Sequence, residues 1–305
     1  MAKTLPRRSP DLERIPFDPT QSFHWIEHDF PSGLARWNYH PEFELHLIRA
    51  SVGNAFVGDH IGRFGPGNLV LVGANLPHHW ESDRRPRAVI ARRDVALHFD
   101  AELVRRALPT FPELGELEPL LHAARLGLEF HGQAAQRGAA LLEQIGAAAG
   151  LRRLMLFFEL LRELSGATEC RSLASPGYVP DLDREASRLV QRIMDYILQN
   201  LPREVRMAEA ARLARMTHPT FCRFFKRNTG NLFVDYVRKL RIGAACKLLA
   251  ETTMPVTEVC YEVGYHNISN FNRSFRREKG LTPSRYRQLS SPNLRLGERG
   301  IRPGR

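Results

Sequence analysis

Basic and amide side chains recur at helical spacing in two stretches of the C-terminal part of the chain. The two sets are Pro219, Cys222, Arg223 and Lys226 in the first stretch, and Ser269, Asn272, Arg273 and Arg276 in the second. The spacing i, i+3, i+4, i+7 places each set on one face of a helix. In the major groove of DNA, arginine pairs with guanine and asparagine with adenine, whereas Lys226 and Arg276, further along, suit phosphate oxygens. The two faces predict base reading; the alternative is a solvated basic surface.

These stretches belong to a duplication with a period of fifty residues. The shift superimposes like side chains: Phe221 on Phe271, Arg223 on Arg273, Phe225 on Phe275, Gly230 on Gly280, and Tyr236 on Tyr286. Phenylalanines at i and i+4 share a helix face, so they would anchor each helix from the side opposite the cations. A repeated period usually means a repeated structural unit.

Each unit has the pattern of a short helix, a tight turn and a second helix. In the second copy, the short helix covers about 256–263, Gly264 lies in the turn, Asn267 or Ser269 caps the next helix, and Gly280 ends it. The first copy repeats this plan, which predicts two helix-turn-helix motifs. The residues predicted to contact DNA are Thr217, His218, Pro219, Cys222, Arg223, Lys226, Asn267, Ser269, Asn270, Asn272, Arg273 and Arg276.

The two units are joined by a helical stretch at about 232–250. At 1.5 Å per residue, such a helix spans about 28 Å, which is close to the roughly 34 Å of one DNA turn. The joining helix would therefore set two readers into successive major grooves on one face of the duplex.

Over about 183–288 the sequence resembles the AraC/XylS family of transcription regulators. The resemblance is strongest over 256–287, which has a glycine–aromatic turn, a Phe-x-Arg-x-Phe-basic-basic run and a Gly-x-Thr-Pro-x-x-Tyr-Arg ending. It implies a sequence-specific regulator that binds double-stranded promoter or operator DNA, with activation favoured over repression and RNA polymerase as a further partner. The first copy matches more loosely, and Cys222 stands where a polar base reader is expected.

The N-terminal part contains a segment, 38–47, that alternates in polarity. Tyr39, Phe43, Leu45 and Leu47 form an apolar set, and Asn38, His40, Glu42, Glu44 and His46 form a polar one. Alternation of this kind is typical of a strand with two unlike faces. Short β-rich runs between Gly, Pro and Asn turns over 20–98 predict a small barrel or sandwich. The polar residues predicted to bind an effector are Asn38, His40, Glu42, Glu44, His46 and His78; the alternative is a face that is simply wet.

This part resembles the cupin-type effector domain of arabinose-sensor-like regulators, in its His-x-x-x-Glu-Leu strand, its Gly-Pro-Gly-Asn-Leu-Val strand entry and its Asn-x-Pro-His turn. Carried over by that resemblance, the metal-ligand positions of cupins are Asn38, His40, Glu44 and His78. Asn38 replaces a histidine, so we expect no bound metal or other cofactor, although His40, Glu44 and His78 could hold Fe, Mn, Ni or Zn. The same groups could instead hydrogen-bond a sugar or another small polar metabolite.

Charge is unevenly distributed along the chain. The formal net charge is +11, but residues 1–180 carry 20 Lys and Arg against 21 Asp and Glu, whereas 181–305 carry 24 against 12. A basic domain beside a near-neutral one predicts a polyanion partner such as DNA. No apolar run approaches the roughly 18 residues of a membrane span. The polar start of the chain, and four cysteines without a C-x-x-C pair, predict a cytoplasmic protein.

Residues 101–165 have a helical pattern, clearest over 151–164. There Leu151, Leu154, Phe158 and Leu161 form a stripe that further apolar residues broaden nearly all round. Such a helix must be buried, within its own domain or against a second copy of the chain in a homodimer. The predicted fold class is α+β: a cupin-like β-barrel with flanking helices over 1–165, a linker at 166–181, an all-α DNA-binding domain with two helix-turn-helix motifs at 182–290, and a disordered tail at 291–305.

The favoured hypothesis is a ligand-responsive transcription regulator and not an enzyme, because the sequence has no nucleotide-binding glycine loop, serine-hydrolase elbow or zinc-protease motif. One alternative is a metal-dependent cupin enzyme with a basic accessory domain. A third hypothesis keeps the DNA binding and makes the first domain a dimerisation module without a ligand.

Overall fold

The computed structural model describes residues 15, 18, 20–31, 37–83, 89–100, 102–179 and 184–290. Two compact units make up the chain: the first holds residues up to 191 together with 226–230, and the second holds 192–225 and the residues from 231 onward. The predicted tail at 291–305 lies outside the described residues. Within the described ranges, no helix combines the length and apolarity needed to cross a bilayer.

In its described part, the first unit contains two antiparallel sheets. The larger has six strands in the order β1 (Phe23–Phe30), β7 (Ile90–Asp100), β2 (Glu42–Ile48), β5 (Leu69–Val72), β8 (Leu128–Phe130) and β9 (Cys170–Ser172). The smaller has three strands in the order β4 (His60–Phe64), β3 (Gly53–Val57) and β6 (His78–Ser82). The predicted N-terminal region of short strands is therefore confirmed.

Alternate residues of strand β2 lie on an apolar face and a polar face of the larger sheet. Phe43, Leu45 and Leu47 are buried in the main core cluster of the first unit. Glu44 and His46 lie between them in sequence and so occupy the opposite face, because successive side chains of a strand alternate. This arrangement agrees with the alternation predicted over 38–47.

Helices α1 (Leu103–Ala107), α2 (Glu118–Ala123), α3 (Gly132–Ala147) and α4 (Gly150–Ser165) belong to the first unit. Leu142 of α3 and Phe157 and Leu160 of α4 share the core cluster of the apolar sheet face. In contrast, Leu151 and Met155 of α4 are 72% and 55% exposed. Packing within the unit therefore covers only one side of a helix that the sequence predicts to be buried nearly all round.

The segment predicted as a linker, 166–181, contributes a strand to the larger sheet. Residues 170–172 form β9, in which Ser172 pairs with Leu128 and Cys170 with Phe130. The edge of β8 supplies the backbone hydrogen-bonding partners for this short strand. Three residues are too few to show a periodic pattern, so the sequence alone could not indicate this strand.

The C-terminal part is helical, as predicted. Its helices are α5 (Arg184–Asn200), α6 (Met207–Leu213), α7 (His218–Thr229), α8 (Phe233–Glu251), α9 (Val256–Glu262), α10 (Ile268–Lys279) and α11 (Pro283–Ser290). Helix α8 corresponds to the predicted joining helix, and it supplies the core against which its neighbours pack. Ile242, Cys246 and Leu249 of α8 are buried in one cluster with Val259 and Phe275.

Candidate functional site

Helices α9 and α10 form a pair joined by a turn at Gly264. The φ angle of Gly264 is +87°, and a Cβ there would lie 2.5 Å from the carbonyl oxygen of Leu201, so this turn requires glycine. Asn267 caps α10, because its side-chain oxygen accepts a hydrogen bond from the N–H of Asn270 at 3.0 Å. This contact decides between the two predicted caps. Gly280, with φ +69°, ends the helix as predicted.

The inward face of α10 is anchored by Phe271 and Phe275. Both rings are fully buried, and their centroids lie 5.8 Å apart. The ring of Tyr265 meets Phe271 edge-on at 5.4 Å. The predicted residues of this helix and its cap are all on its solvent side, and they are Asn267, Ser269, Asn270, Asn272, Arg273 and Arg276. Helix α10 therefore exposes a polar, basic face to solvent, while its opposite face is packed in the core.

Helix α7 is backed in the same way. The rings of Phe221 and Phe225 are fully buried with centroids 5.7 Å apart, and they meet Phe233 edge-on at 5.5 and 5.3 Å. The predicted residues exposed on this helix and the residue before it are Thr217, His218, Pro219, Arg223 and Lys226. The Thr217 hydroxyl forms a hydrogen bond with the Thr220 hydroxyl at 3.0 Å.

Cys222 differs from the other predicted contacts on α7 because it is half-buried. Its Sγ atom lies 3.6 Å from Sδ of Met207 on α6 and 3.9 Å from Nδ1 of His218. Met207 therefore covers part of the thiol. Cys222 is less exposed than Asn272, which occupies the equivalent position on α10.

A groove of about 670 Å³ lies beside α10 in the second unit. Asn270, Arg273 and Arg277 of α10 line it together with Val234 of α8. Arg277 is not among the predicted DNA contacts. The duplication aligns it with Arg227, and this second basic pair is the signal that could have identified it.

In the first unit, three histidines converge on one carboxylate on the polar face of the larger sheet. The Oε2 atom of Glu44 lies 2.9 Å from Nε2 of His40, 3.1 Å from Nε2 of His98 and 3.2 Å from Nε2 of His78. All four side chains are buried. Burial alone would raise the pKa of Glu44, but the charge of His78 and the hydrogen bonds from the three imidazoles hold that pKa well below its ordinary value. Glu44 is therefore a fixed negative charge inside the unit.

Backbone carbonyl groups orient two of these rings. The Nδ1 atom of His78 lies 2.8 Å from the carbonyl oxygen of Leu76, and Nδ1 of His40 lies 3.2 Å from that of Glu42. A carbonyl oxygen only accepts hydrogen bonds, so each Nδ1 carries a proton and donates it. The Nε2 atom of each ring is then turned toward Glu44.

His46, predicted as part of the same effector site, belongs to a second polar group. Its ring stacks on Trp80 with centroids 4.0 Å apart, and its Nε2 lies 3.6 Å from Oδ1 of Asp94. Nδ1 of His28 is hydrogen-bonded to the same oxygen at 2.8 Å, and the guanidinium of Arg93 pairs with the other oxygen. The predicted effector residues therefore belong to two separate polar groups, one around Glu44 and one around Asp94.

The remaining predicted effector residues lie beside the Glu44 cluster. Asn38 exchanges two backbone hydrogen bonds with His78, at 3.2 and 2.9 Å, and Glu42 offers its carbonyl oxygen to His40. His98 is absent from the predicted set although it contacts Glu44. The signal that could have found it is the alternation along β7, where His98 lies between the buried Leu97 and Phe99.

Comparison with known proteins places the C-terminal helices in context. A family model described as a helix-turn-helix domain matches residues 210–289. The probable transcriptional regulator LumQ of Photobacterium leiognathi is 31% identical over 105 residues, 34% of this chain and 42% of LumQ. The RCS-specific HTH-type transcriptional activator RclR of Escherichia coli (strain K12) is 26% identical over 235 residues, 73% of this chain and 76% of RclR. A solved structure of a probable AraC family transcriptional regulator from Rhodopseudomonas palustris CGA009 is 25% identical, covers 35% of this chain and 100% of that chain, and has a TM-score of 0.33.

The chain spans less than half the length of LumQ, one of the curated relatives it matches. Both named relatives are regulators of transcription, in agreement with the prediction that this chain is not an enzyme. They give no support to the alternative of a metal-dependent cupin enzyme. The helix-turn-helix match includes α7, α8, α9 and α10 in full.

Proposed function

Since this chain belongs to the AraC family of transcriptional regulators, we propose that its two helix pairs are helix-turn-helix motifs that together read one promoter or operator sequence. The observation that carries the proposal is the repeated construction of α7 and α10. Each buries two phenylalanines on one face and exposes arginine on another, Arg223 in the first and Arg273 in the second. A basic surface that only contacts solvent would not require the same pair of buried phenylalanines behind it in both helices.

The charge of the C-terminal part supports the same proposal. Residues 181–305 carry 24 Lys and Arg against 12 Asp and Glu. Cations that neutralise DNA phosphates release counterions, so the affinity for DNA should fall steeply as salt is raised. Exposed Lys226 and Arg276 are the side chains we assign to phosphate, and Arg223 and Arg273 those we assign to bases.

Helix α8 is the proposed spacer between the two readers. Its nineteen residues correspond to about 28 Å at 1.5 Å per residue. This length suits readers placed in successive major grooves on one face of the duplex, roughly 34 Å apart.

In the first unit, we propose that the two sheets form a cupin-like barrel and that the effector site is the cluster around Glu44. A buried carboxylate among imidazoles offers polar groups to a small ligand such as a sugar or another carbon-source metabolite. The ligand can regulate DNA binding only if it binds the DNA-competent arrangement of the protein better or worse than the other arrangement.

The open side of α4 supports a homodimer, because Leu151 and Met155 leave an apolar surface exposed there. We assign 1–165 to effector binding and dimerisation, 166–181 to the connection, and 182–290 to DNA binding. A protein acting on promoter DNA works in the cytoplasm, and activation would add a contact with RNA polymerase.

The DNA-reading proposal is tested by selecting duplexes from a random pool with the full chain and footprinting the enriched sequence. We expect one enriched site with two protected segments about one helical turn apart and an affinity that falls with salt. Enrichment of no sequence, with equal binding to every duplex, would contradict the proposal.

The effector proposal needs a separate measurement, because the first unit could be a dimerisation module without a ligand. Thermal unfolding of the full chain is followed against a panel of sugars and organic acids. A midpoint that rises with ligand concentration indicates binding to the native state, and an unchanged midpoint throughout the panel favours the module without a ligand.

A further inference from the structure

We infer that Arg241, near the middle of α8, is a positioning residue that fixes the second helix pair (α9 and α10) relative to the first (α6 and α7). It thereby restricts the spacing of the half-sites, the two short sequences that α7 and α10 read. The inference rests on the DNA-reading proposal above and deepens it, because it adds a second connection to the covalent one through α8. Arg241 is not among the residues predicted to contact DNA.

The guanidinium of Arg241 contacts the segment that leads into the first helix pair. Its Nε atom donates to the carbonyl oxygen of Leu201 at 3.2 Å, and its Nη2 atom donates to that of Arg203 at 2.7 Å. Both carbonyl groups lie between the end of α5 at Asn200 and the start of α6 at Met207. The donors of a guanidinium form a rigid planar fork, so two bonds fix its direction as a lysine ammonium cannot.

The same guanidinium contacts the turn of the second helix pair. It lies over the ring of Tyr265, with Cζ 5.8 Å from the ring centroid, and the face of an aromatic ring attracts a cation. A Cβ on Gly264 would lie 2.9 Å from Nη2 of Arg241 and 2.5 Å from the Leu201 oxygen. The turn, the guanidinium and the segment before α6 therefore meet at one point, at a distance that requires glycine.

Two further contacts connect this point to α10. The buried ring of Tyr265 meets Phe271 of α10 edge-on, with centroids 5.4 Å apart. Arg238, one turn before Arg241 on α8, donates from Nε to a side-chain oxygen of Glu278 on α10 at 2.9 Å. Arg238 therefore holds α10 against α8, and Arg241 holds the turn before α10 against the segment before α6.

Partial burial makes this arrangement more favourable than others. Arg241 is half-buried, and among the described side chains no carboxylate pairs with it. A cation that has lost part of its hydration needs hydrogen bonds in compensation. The carbonyl oxygens of Leu201 and Arg203 supply them only while the two helix pairs keep their present relative positions.

Arg287 of α11 provides a matched comparison. Its Nε and Nη2 atoms also donate to two backbone carbonyl oxygens, those of Leu249 at the end of α8 and of Met254 just before α9. The chemistry of this fork is the same as that of Arg241, but both acceptors lie on the side of the second helix pair. Loss of the Arg287 fork should therefore affect stability without changing the relative positions of the two pairs.

The test uses the full-length protein and the duplex that it selects. Affinity is measured for the intact site, for a duplex with one half-site scrambled, and for duplexes with one base pair inserted or removed between the half-sites. Arg241→Lys keeps the charge and loses the fork. We expect it to bind the intact site about tenfold more weakly than the wild type and the single half-site equally well, because the effective concentration of the second reader falls.

Arg241→Lys should also lose most of the wild-type discrimination against altered spacing, whereas Arg287→Lys should keep it. Urea unfolding shows that each variant is folded and reports its loss of stability. The inference is overturned if folded Arg241→Lys keeps the wild-type spacing preference, or if Arg287→Lys loses that preference to the same extent.

Arg241→Met, which also removes the charge, distinguishes positioning from a direct phosphate contact. A positioning residue leaves the salt dependence of binding to a single half-site unchanged, whereas the loss of a phosphate contact lowers its slope by about one and would overturn the inference. A wild type that enriches no sequence rejects the DNA-reading proposal. A wild type that reads two half-sites, but binds every spacing equally, rejects this inference alone.

Discussion

The ring of Phe275 meets the ring of Tyr286 edge-on, with centroids 5.5 Å apart and planes at 74°. Fifty residues earlier, Phe225 meets Tyr236 with centroids 5.3 Å apart and planes at 84°. In such pairs the positive edge of one ring approaches the negative face of the other. Each helix pair therefore has an equivalent Phe–Tyr contact in its core. The outward faces of α7 and α10 are positioned by the same kind of packing.

Replacing Arg273 with Ala should weaken binding to the selected duplex by about 1–3 kcal/mol, since one base contact is lost. Arg273 is exposed on α10, and its guanidinium donates to the side-chain oxygen of Asn270, which holds it on the proposed reading face. Fluorescence anisotropy with labelled duplex measures the change. Arg137→Ala removes the same charge from an exposed position on α3 and should have no effect. Unchanged affinity in Arg273→Ala would remove this residue from the reading face.

Gly264→Ala should destabilise the C-terminal helices by more than about 1 kcal/mol. Its new Cβ would lie 2.5 Å from the Leu201 carbonyl oxygen, in addition to the cost of a positive φ. Gly280→Ala is the matched control, because Gly280 also has a positive φ but a Cβ added there would meet no atom within 4 Å. Urea unfolding should give the larger loss for Gly264→Ala, and equal losses would show that the turn relaxes freely.

Asp94→Asn should lower the free energy of unfolding at neutral pH by about 3–5 kcal/mol, because it leaves a buried ion pair incomplete. Burial would raise the pKa of Asp94, but hydrogen bonds from His28 and His46 and the charges of His46 and Arg93 hold it far below its ordinary value. A lowered pKa stabilises the folded state fully above the unfolded value of about 3.9, and this contribution disappears as the pH falls below it.

The measurement is urea unfolding between neutral and acidic pH. The wild-type chain should lose stability on acidification more steeply than Asp94→Asn. Asp100→Asn, at the exposed end of the same strand, should change stability by no more than about 1 kcal/mol. Parallel acid profiles for the wild type and Asp94→Asn would show that Asp94 does not contribute in this way.

Alkylation of Cys222 with N-ethylmaleimide should weaken DNA binding by at least the roughly 1–3 kcal/mol of a lost base contact. The thiol is half-buried on the proposed reading face of α7, so the added group would stand between the helix and the groove. Cys222→Ser should resist the reagent. Cys170→Ser, which removes an exposed thiol, should remain sensitive. Full affinity after complete labelling of Cys222 would mean that this face of α7 does not approach DNA.

A double change of Leu151 and Met155 to Glu should convert the proposed homodimer into a monomer. Both side chains are exposed on α4, and charges there cannot be buried against a second copy without a large cost. Sedimentation measures the mass in solution. Phe111→Glu is the control, since Phe111 is an exposed apolar residue outside α4. A monomeric wild type, or a double variant that stays dimeric, would reject α4 as the interface.

The helices of the second unit could be predicted closely because their signals are local. The glycine stops and the Phe spacing lie within one or two turns of the helices they define, and the fifty-residue duplication shows the same signals twice. Asn267 is one of two predicted caps, and only the contact with the N–H of Asn270 separates it from Ser269.

The cluster around Glu44 could be predicted only in part. His40 and Glu44 lie on one short segment, so their common face follows from alternation. His98 is fifty-four residues from Glu44, and the two meet because β7 pairs with β2 in a particular register. Long-range register of this kind is decided by the packing of whole sheets and leaves no local trace in the sequence.

Helix α8 is a single rod of nineteen residues between the two helix pairs. One residue inserted into it would push one reader about 1.5 Å along the axis and swing it by about 100°. Only insertions close to a whole number of helical turns would keep α7 and α10 facing the same side of a duplex. In the DNA reading proposed above, substitutions on α7 and α10 would change the preferred bases, whereas the length of α8 would fix the separation of the two half-sites. Accordingly, the operators of related regulators should differ in base sequence before they differ in the spacing between half-sites.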